Sequence, residues 1–416
     1  MTSETVAPKL IVEVLNEQGL RNIEAEQWDE LSRNSLDNNP FYGRSFILAG
    51  LNTIDRASGL RAVIIRSSDK SQLLGMFPFR LRRFPLMRAV AATNLYQFCS
   101  QPLINRDYSD AVIAAWTDAL ETKQFPHRWS FPHLDLTSRF AQRLSHLAMN
   151  KSLRCLPLAN YSRARLTRSS RNFAEHLSST VSKSRVKDIQ RSLRRLEELG
   201  EVRFERATDP ALVTQRIEQF LAVEHAGWKG TAGTSFQSNA EHARFARQAF
   251  SHNGGQTCVD SLLLNGSPIA LSVNLRSGET IFTPKCAYDE SYRKYSPGLV
   301  LEYLIVEAFY ASDDCTDMDS STTVDGHVIQ SLWNTDAPMG TLVVGPQNWG
   351  TNCIAQLHTF SRTARQGAKA LHRDVVSQAQ GIARTWRRHV QRLNINIFVG
   401  GTGLFQTLEH LLPRAI

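Results

Sequence analysis

Three strand-like runs follow one another between residues 258 and 288: CVDSLLL, PIALSVNLR and ETIFTPKCAY. Only Asn265-Gly266 and Ser277-Gly278 separate them. Asn-Gly is a turn pair that tolerates the positive φ of a tight hairpin, so these runs are held to an antiparallel meander. The next segment narrows the fold further. YRKYSPGLVLEYLIVEAF (292–309) passes from a basic, aromatic loop into one long apolar helix, and CTDMDS (315–320) returns as a strand. Meander, loop, helix and strand in that order predict an α/β unit.

Before the meander the chain reads as helical. SKSRVKDIQRSLRRLEELG (182–200) places Val186, Ile189, Leu193, Leu196 and Leu199 at helical spacing and stops at Gly200. Asp209-Pro210 opens a helix that runs to about His225, AGWKGTAGTS reads as a glycine-rich loop, and residues 238–252 are helical. After the 315–320 strand come a short helix over 325–333 and a last strand, GTLVVG (340–345). The first half follows a similar plan. It has a strand at 9–15, a hairpin of 60–67 with 73–81, helices at 25–36, 44–51, 109–123 and 138–149, and a strand at 130–136. A closing strand or hairpin spans 153–166. The expected organisation is two tandem α/β units with mixed sheets flanked by helices, 5–165 and 166–346, followed by a basic helical tail over 347–416.

Composition agrees. At 416 residues the chain exceeds one ordinary core, and 42% hydrophobic with 21% charged residues is a globular balance. No apolar run reaches the length of a membrane span, and MTSETVAPKL lacks the basic and apolar regions of a signal peptide, so the expected compartment is the cytoplasm. The six cysteines are scattered without metal-ligand spacing, which points to reduced thiols rather than a zinc site or a disulfide framework.

The net charge of +9 is concentrated. Residues 160–195 carry ten Lys/Arg against two acids, and residues 351–416 carry nine against two, so the remainder is net acidic. Two basic segments fit either an anionic partner or solvated helix faces. Single-strand readers interleave aromatics with basic residues; 182–200 has none, which ranks nucleic acid low. The tail, with Trp386 and the apolar stretch 394–406, fits either peripheral contact with an anionic membrane surface or a packed helix pair.

The loop at 293–298 carries chemistry. Ser296 is a suitable N-cap, Pro297 suits the first helical position, and Gly298 leaves room for a close approach. A helix start of this kind points N–H groups and a positive dipole end at an anion, and Arg293, Lys294 and Tyr295 stand just before it. An ordinary capped helix behind a basic loop would carry the same residues.

The element order resembles the GNAT acyltransferase core, in which acyl-CoA pyrophosphate sits on that helix start and the pantetheine lies beside the preceding strand, here Thr280–Tyr288. Together with FLAVEHAGWKGTAGTS (220–235) and MDSSTTVDGHVIQSLW (318–333), Tyr295-Ser296-Pro297-Gly298 looks like the BioF2-like or CelD-type acyltransferases. Those have two GNAT-like domains and are related in architecture to the FemABX aminoacyltransferases. The resemblance covers roughly residues 5–345 and implies a degenerate first unit, since that half has no Pro-Gly helix start. Ser320-Ser321-Thr322 stands where many relatives have a cysteine pattern, which removes a covalent cysteine role there.

A direct transfer needs a general base and a donor to the thioester oxygen. The candidates are Glu224 as base, Asp319 and His327 as further catalytic groups, and Trp228, Lys229 and Asp317 against the acceptor. Arg293, Lys294, Tyr295, Ser296, Pro297 and Gly298 would hold acetyl-CoA or another acyl-CoA. Each has a plainer alternative: a solvated carboxylate for Glu224, a structural imidazole for His327, and a loop anchor beside a surface lysine for Trp228 and Lys229. The resemblance implies transfer to an amine or hydroxyl of a small-molecule, glycan or cell-envelope acceptor. The other readings are a FemABX-like aminoacyl-tRNA-dependent transferase and a non-catalytic scaffold that binds an anionic polymer.

Overall fold

The computed structural model describes residues 9–363 apart from 85, 123, 252–255, 324–327 and 362. His327, most of the basic tail and the apolar stretch 394–406 lie outside the described residues.

The first half runs β1 (Leu10–Asn16), α1 (Glu17–Arg21), α2 (Ala25–Arg33), α3 (Arg44–Asn52), β2 (Arg61–Ser67), β3 (Leu73–Arg82), β4 (Arg88–Ala91), β5 (Leu103–Ile104), α4 (Ser109–Glu121), β6 (Trp129–Asp135), α5 (Arg139–Met149) and β7 (Leu153–Thr167). The second half runs α6 (Phe173–Thr180), α7 (Lys183–Glu197), β8 (Val202–Ala207), α8 (Pro210–Ala226), α9 (Trp228–Thr231), α10 (Ala240–Ala246), β9 (Thr257–Leu264), β10 (Ser267–Ser277), β11 (Thr280–Tyr288), α11 (Pro297–Ala311), β12 (Asp317–Asp319) and β13 (Thr335–Pro346).

The meander forms as the turn residues require. Asn265 and Gly266 have φ of 50° and 77°, and Gly278 has 56°, all in the region where a branched side chain would be strained. β9, β10 and β11 pair antiparallel in sequence order. Of the two faces they create, one packs on α11 and α7 through Ile281, Val300, Ile305 and Ile189. The other packs on α8 and the first half through Val273, Phe282, Phe220 and Phe41. α11 is apolar on nearly every side and is correspondingly buried, whereas α7 shows the core only Ile189, Leu196 and their neighbours.

All the described strands share one mixed sheet, ordered β1-β2-β3-β4-β6-β13-β7-β12-β11-β10-β9-β8, with β5 beside β3. β13 comes last in sequence, yet it is inserted between β6 and β7 and is antiparallel to both. β7 is one continuous strand rather than a hairpin. The expected unit boundary at 165 and 166 falls inside it, where Arg165–Thr167 pair with β12.

Three local expectations change. Residues 228–231 form a short helix instead of a loop: the Gly230 and Thr231 N–H groups fold back onto the Gly227 carbonyl, and the Ala232 and Thr234 N–H groups onto those of Trp228 and Lys229. The strand expected over 315–320 narrows to β12, three residues long. The basic segment over 160–195 divides: Arg163 is fully buried and Arg165 and Arg168 are largely so, whereas Arg171 and most of the charges of α7 face solvent. Residues 352–361 are helical and belong to a separate compact unit, Asn352–Ile416. Among the described residues no helix is long and apolar enough to cross a membrane.

Candidate active site

β11 and β12 run parallel for three residue pairs only, Thr280–Asp317, Ile281–Met318 and Phe282–Asp319. β12 then ends while β11 continues to Tyr288, so the strands part into a fork. The register against β10 slips at the same place, between Lys285 and Phe282, which puts Thr283 and Pro284 in a bulge. A bulge re-aims side chains and bends its strand, and proline is tolerated there because no ladder N–H is needed.

The helix start expected to cradle phosphate stands at the end of β11. Pro297 occupies the first position of α11 and Gly298 the second. A Cβ on Gly298 would meet only Tyr288 Cδ1, at 3.5 Å, so the approach to the first turn is open. Ser296 departs from expectation. It sits at the N-cap with φ and ψ both 51°, and its side chain makes no capping bond, because the left-handed backbone needed to turn from the 290–295 segment into the helix aims it away. The helix start therefore keeps N–H groups without intrahelical partners. Arg293 and Lys294 are exposed, and Tyr295 is buried with the Lys294 ammonium 4.9 Å and the Arg195 guanidinium 5.0 Å from its ring centre. Arg195 belongs to α7, which thus brings its basic face beside the start of α11.

On the other face of the sheet, Glu224 sits at the end of α8 and is buried rather than solvated. Its Oε1 takes the Lys229 ammonium at 2.9 Å and its Oε2 takes the Phe236 N–H at 2.9 Å. Lys229 also reaches the Cys286 carbonyl of β11, at 3.4 Å. Trp228 is 60% exposed, and its backbone N–H is bound by Glu290 at 2.8 Å. α9 is therefore pinned over the end of β11 by Glu224 and Glu290.

The sequence offered no sign of Lys285. Its ammonium lies 4.7 Å from the Tyr96 ring centre and 4.9 Å from that of Phe236. Burial and the neighbouring Lys229 charge bring its pKa down to about 8. Across the sheet, Glu302 of α11 accepts a 2.6 Å hydrogen bond from Trp333 Nε1, and burial pushes its pKa up to about 7.

Asp317 and Asp319 flank Met318, which is in the core, and by strand alternation lie on the opposite face of the sheet. Asp319 is buried between two arginines: Arg163 Nη1 is 3.5 Å from Oδ1 and Arg165 Nε is 3.5 Å from Oδ2. Arg163 is held in turn by the Phe98 and Thr322 carbonyls and by the Tyr161 hydroxyl. Arg165 also pairs with Asp135 at 2.8 Å. The clue in the sequence was a pair of alternations, Arg163-x-Arg165 and Asp317-x-Asp319, which matching strands bring into register. Asp317 accepts from the Thr280 and Thr316 hydroxyls, and burial raises its pKa. It lines a cavity of about 510 Å³ between the meander and the first half.

The structure thus gathers Glu224, Trp228 and Lys229 over the end of β11 and sets Asp319 and Asp317 along the fork's closed end. Residues 293–298 lead into the first turn of α11.

Residues 183–326 match the acetyltransferase (GNAT) domain family. The fold is that of the GNAT acyltransferases. Among solved structures, the chain is similar to a conserved protein of unknown function from Bacteroides thetaiotaomicron VPI-5482, with 11% identity, a TM-score of 0.51, and 78% of this chain covering 98% of that one. It is also similar to FemX, with 10% identity, a TM-score of 0.51, and 80% of this chain covering 96% of that one. At such identities the likeness speaks for the fold alone. No curated protein gives a significant match to the sequence.

Proposed function

We propose that the chain is an acyl-CoA-dependent acyltransferase, an acetyltransferase in the first instance, acting on an amine or hydroxyl of a sugar, polysaccharide or cell-envelope precursor. The observation that carries this reading is the fork between β11 and β12, which opens beside the uncapped first turn of α11 with Gly298 bare. A coenzyme pyrophosphate on those N–H groups would gain the helix dipole and the Arg293 and Lys294 charges. The pantetheine would then run along the free edge of β11.

Transfer would be direct. The acceptor nitrogen or oxygen attacks the thioester carbonyl carbon, the new C–N or C–O bond forms, the C–S bond breaks, and CoA leaves as its thiol. The acceptor's proton goes to a base. Of Glu224 and Asp319, the first accepts a hydrogen bond on both oxygens, whereas Asp319 Oδ2 accepts none and meets only the Arg165 Nε, at 3.5 Å. This favours Asp319 over Glu224 as the group that receives or orients the proton.

Calorimetry with acetyl-CoA on the wild type and on Gly298→Glu tests the reading. Micromolar binding lost in a folded variant supports it. A folded wild type that binds neither acetyl-CoA nor longer acyl-CoAs removes it. The exposed charges of α7 (Lys183, Lys187, Arg191, Arg194 and Arg195) favour one alternative, aminoacyl-tRNA-dependent transfer of the FemABX kind. An RNA requirement for turnover would mark it.

A further inference from the structure

The cavity beside Asp317 is built from both halves of the chain. Its buried floor includes Gln101, Asp135 and Thr280, and its volume of about 510 Å³ suits a small polar molecule. Three of its charged groups are already satisfied. Asp135 is paired with Arg165, and Asp37 accepts the Arg139 and Phe140 N–H groups at the start of α5. Four remain outside any ion pair: Asp317, whose Oδ2 takes the Thr280 and Thr316 hydroxyls, and Glu279 on the meander side, and Arg106 and Arg139 on the side of the first half. Among the described residues none of these four enters an ion pair, and the two guanidiniums reach only the Ser35 and Leu36 carbonyls, each at 3.5 Å. The unpaired acids thus stand on one side, and the unpaired guanidiniums on the other, where Asp37 and Asp135 are already engaged.

Gln101 supplies an independent observation. It is 4% exposed and lines the cavity, yet its Oε1 has no hydrogen-bond partner. An orphaned buried acceptor costs stability, and a donor on a bound molecule would relieve it. The position is also apt. Phe282 faces the cavity while Ile281 faces α11, so the cavity lies on the sheet face opposite the helix start proposed for the coenzyme. It ends at the last β11–β12 pair, where the fork begins.

We infer that this cavity takes the acceptor as a small bipolar molecule: an amine on the Asp317 and Glu279 wall, and a phosphate or carboxylate on Arg106 and Arg139. The inference rests on the acyltransferase reading for the word acceptor, and on the cavity alone for the binding.

Calorimetry with four probes tests it: glucosamine 6-phosphate, 4-aminobutyrate, glucosamine and glucose 6-phosphate. One of the two doubly charged probes should bind at least tenfold tighter than both singly charged ones, and which of them does so identifies the anion. Arg106→Ala with Arg139→Ala should bring that probe down to the affinity of glucosamine, and Asp317→Asn down to that of glucose 6-phosphate. Gln101→Leu should weaken binding without lowering the melting temperature, since no protein partner is lost. Equal affinities across the four, or no binding by any, overturns the inference. Acetyl-CoA binding on the same samples separates the two readings. It should survive the arginine changes, and its absence from a wild type that still binds a bipolar probe removes the acyltransferase reading and leaves the cavity site standing.

Discussion

Lys229 Nζ lies 2.9 Å from Glu224 Oε1, across the break between α8 and α9, and the carboxylate is the more buried partner. Because Glu224 also takes the Phe236 N–H, its loss frees two donors at once. Glu224→Ala should cost about 2–4 kcal/mol in urea unfolding, as expected for removing one partner of a buried charged pair. A double-mutant cycle with Lys229→Met should return a coupling of about 1–2 kcal/mol. A coupling near zero would mean that α9 is held without the pair.

Gly230 is fixed by a close approach. A Cβ there would stand 1.7 Å from the His225 carbonyl oxygen, which ends the last turn of α8. Gly230→Ala must push α9 away from α8 and should cost roughly 1–3 kcal/mol by the overpacking rule. Hydrogen exchange should show faster opening of the 227–235 amides, with β9 and β10 unchanged.

Glu302 makes stability depend on pH. Its folded pKa of about 7 lies above the 4.5 of an ordinary glutamate, so the folded state binds more protons between those values. Stability from this group is therefore present at low pH and is lost as pH rises from about 4.5 to 7, a swing of order 3 kcal/mol. Glu302→Gln keeps an oxygen for Trp333 Nε1 and removes the titration. It should raise the melting temperature more at pH 8 than at pH 5, and an equal change at both would contradict the assignment.

Lys285 should titrate near pH 8, readable as the ε-carbon shift in labelled protein. Its depressed pKa means that its charged form opposes folding below about pH 8 and that this cost fades as pH rises toward the ordinary lysine value. Lys229→Met removes a repelling charge and should move the titration upward. No movement would assign the depression to burial alone.

Much of this was visible in the sequence where local chemistry decides the structure. Asn265-Gly266 and Gly278 announced the meander, Pro297 the start of α11, and the apolar run after it a buried helix. The order of elements then carried the fold. What escaped was set by distant partners. Nothing near Thr335–Pro346 says that β13 sits between β6 and β7. The cavity joins side chains from around residues 37, 101, 135, 279 and 317, and no local pattern links them. Glu224 read equally well as solvated, because the donors that bury it, Lys229 and Phe236, become neighbours only after α9 forms. Ser296 had the residue type of a cap, but the turn into α11 imposed a backbone angle at which its hydroxyl cannot serve as one.

The place of β13 also bears on how the chain is made. β6 and β7 cannot take their final positions until a strand synthesised much later arrives to separate them. At ~5–20 residues/s, a ribosome needs roughly 10–40 s to go from the end of β6 to the end of β13. Throughout that interval the first half is a nascent sheet with two unsatisfied edges, open to mispairing or to chaperones. The amino-terminal half is thus translated first but completed last.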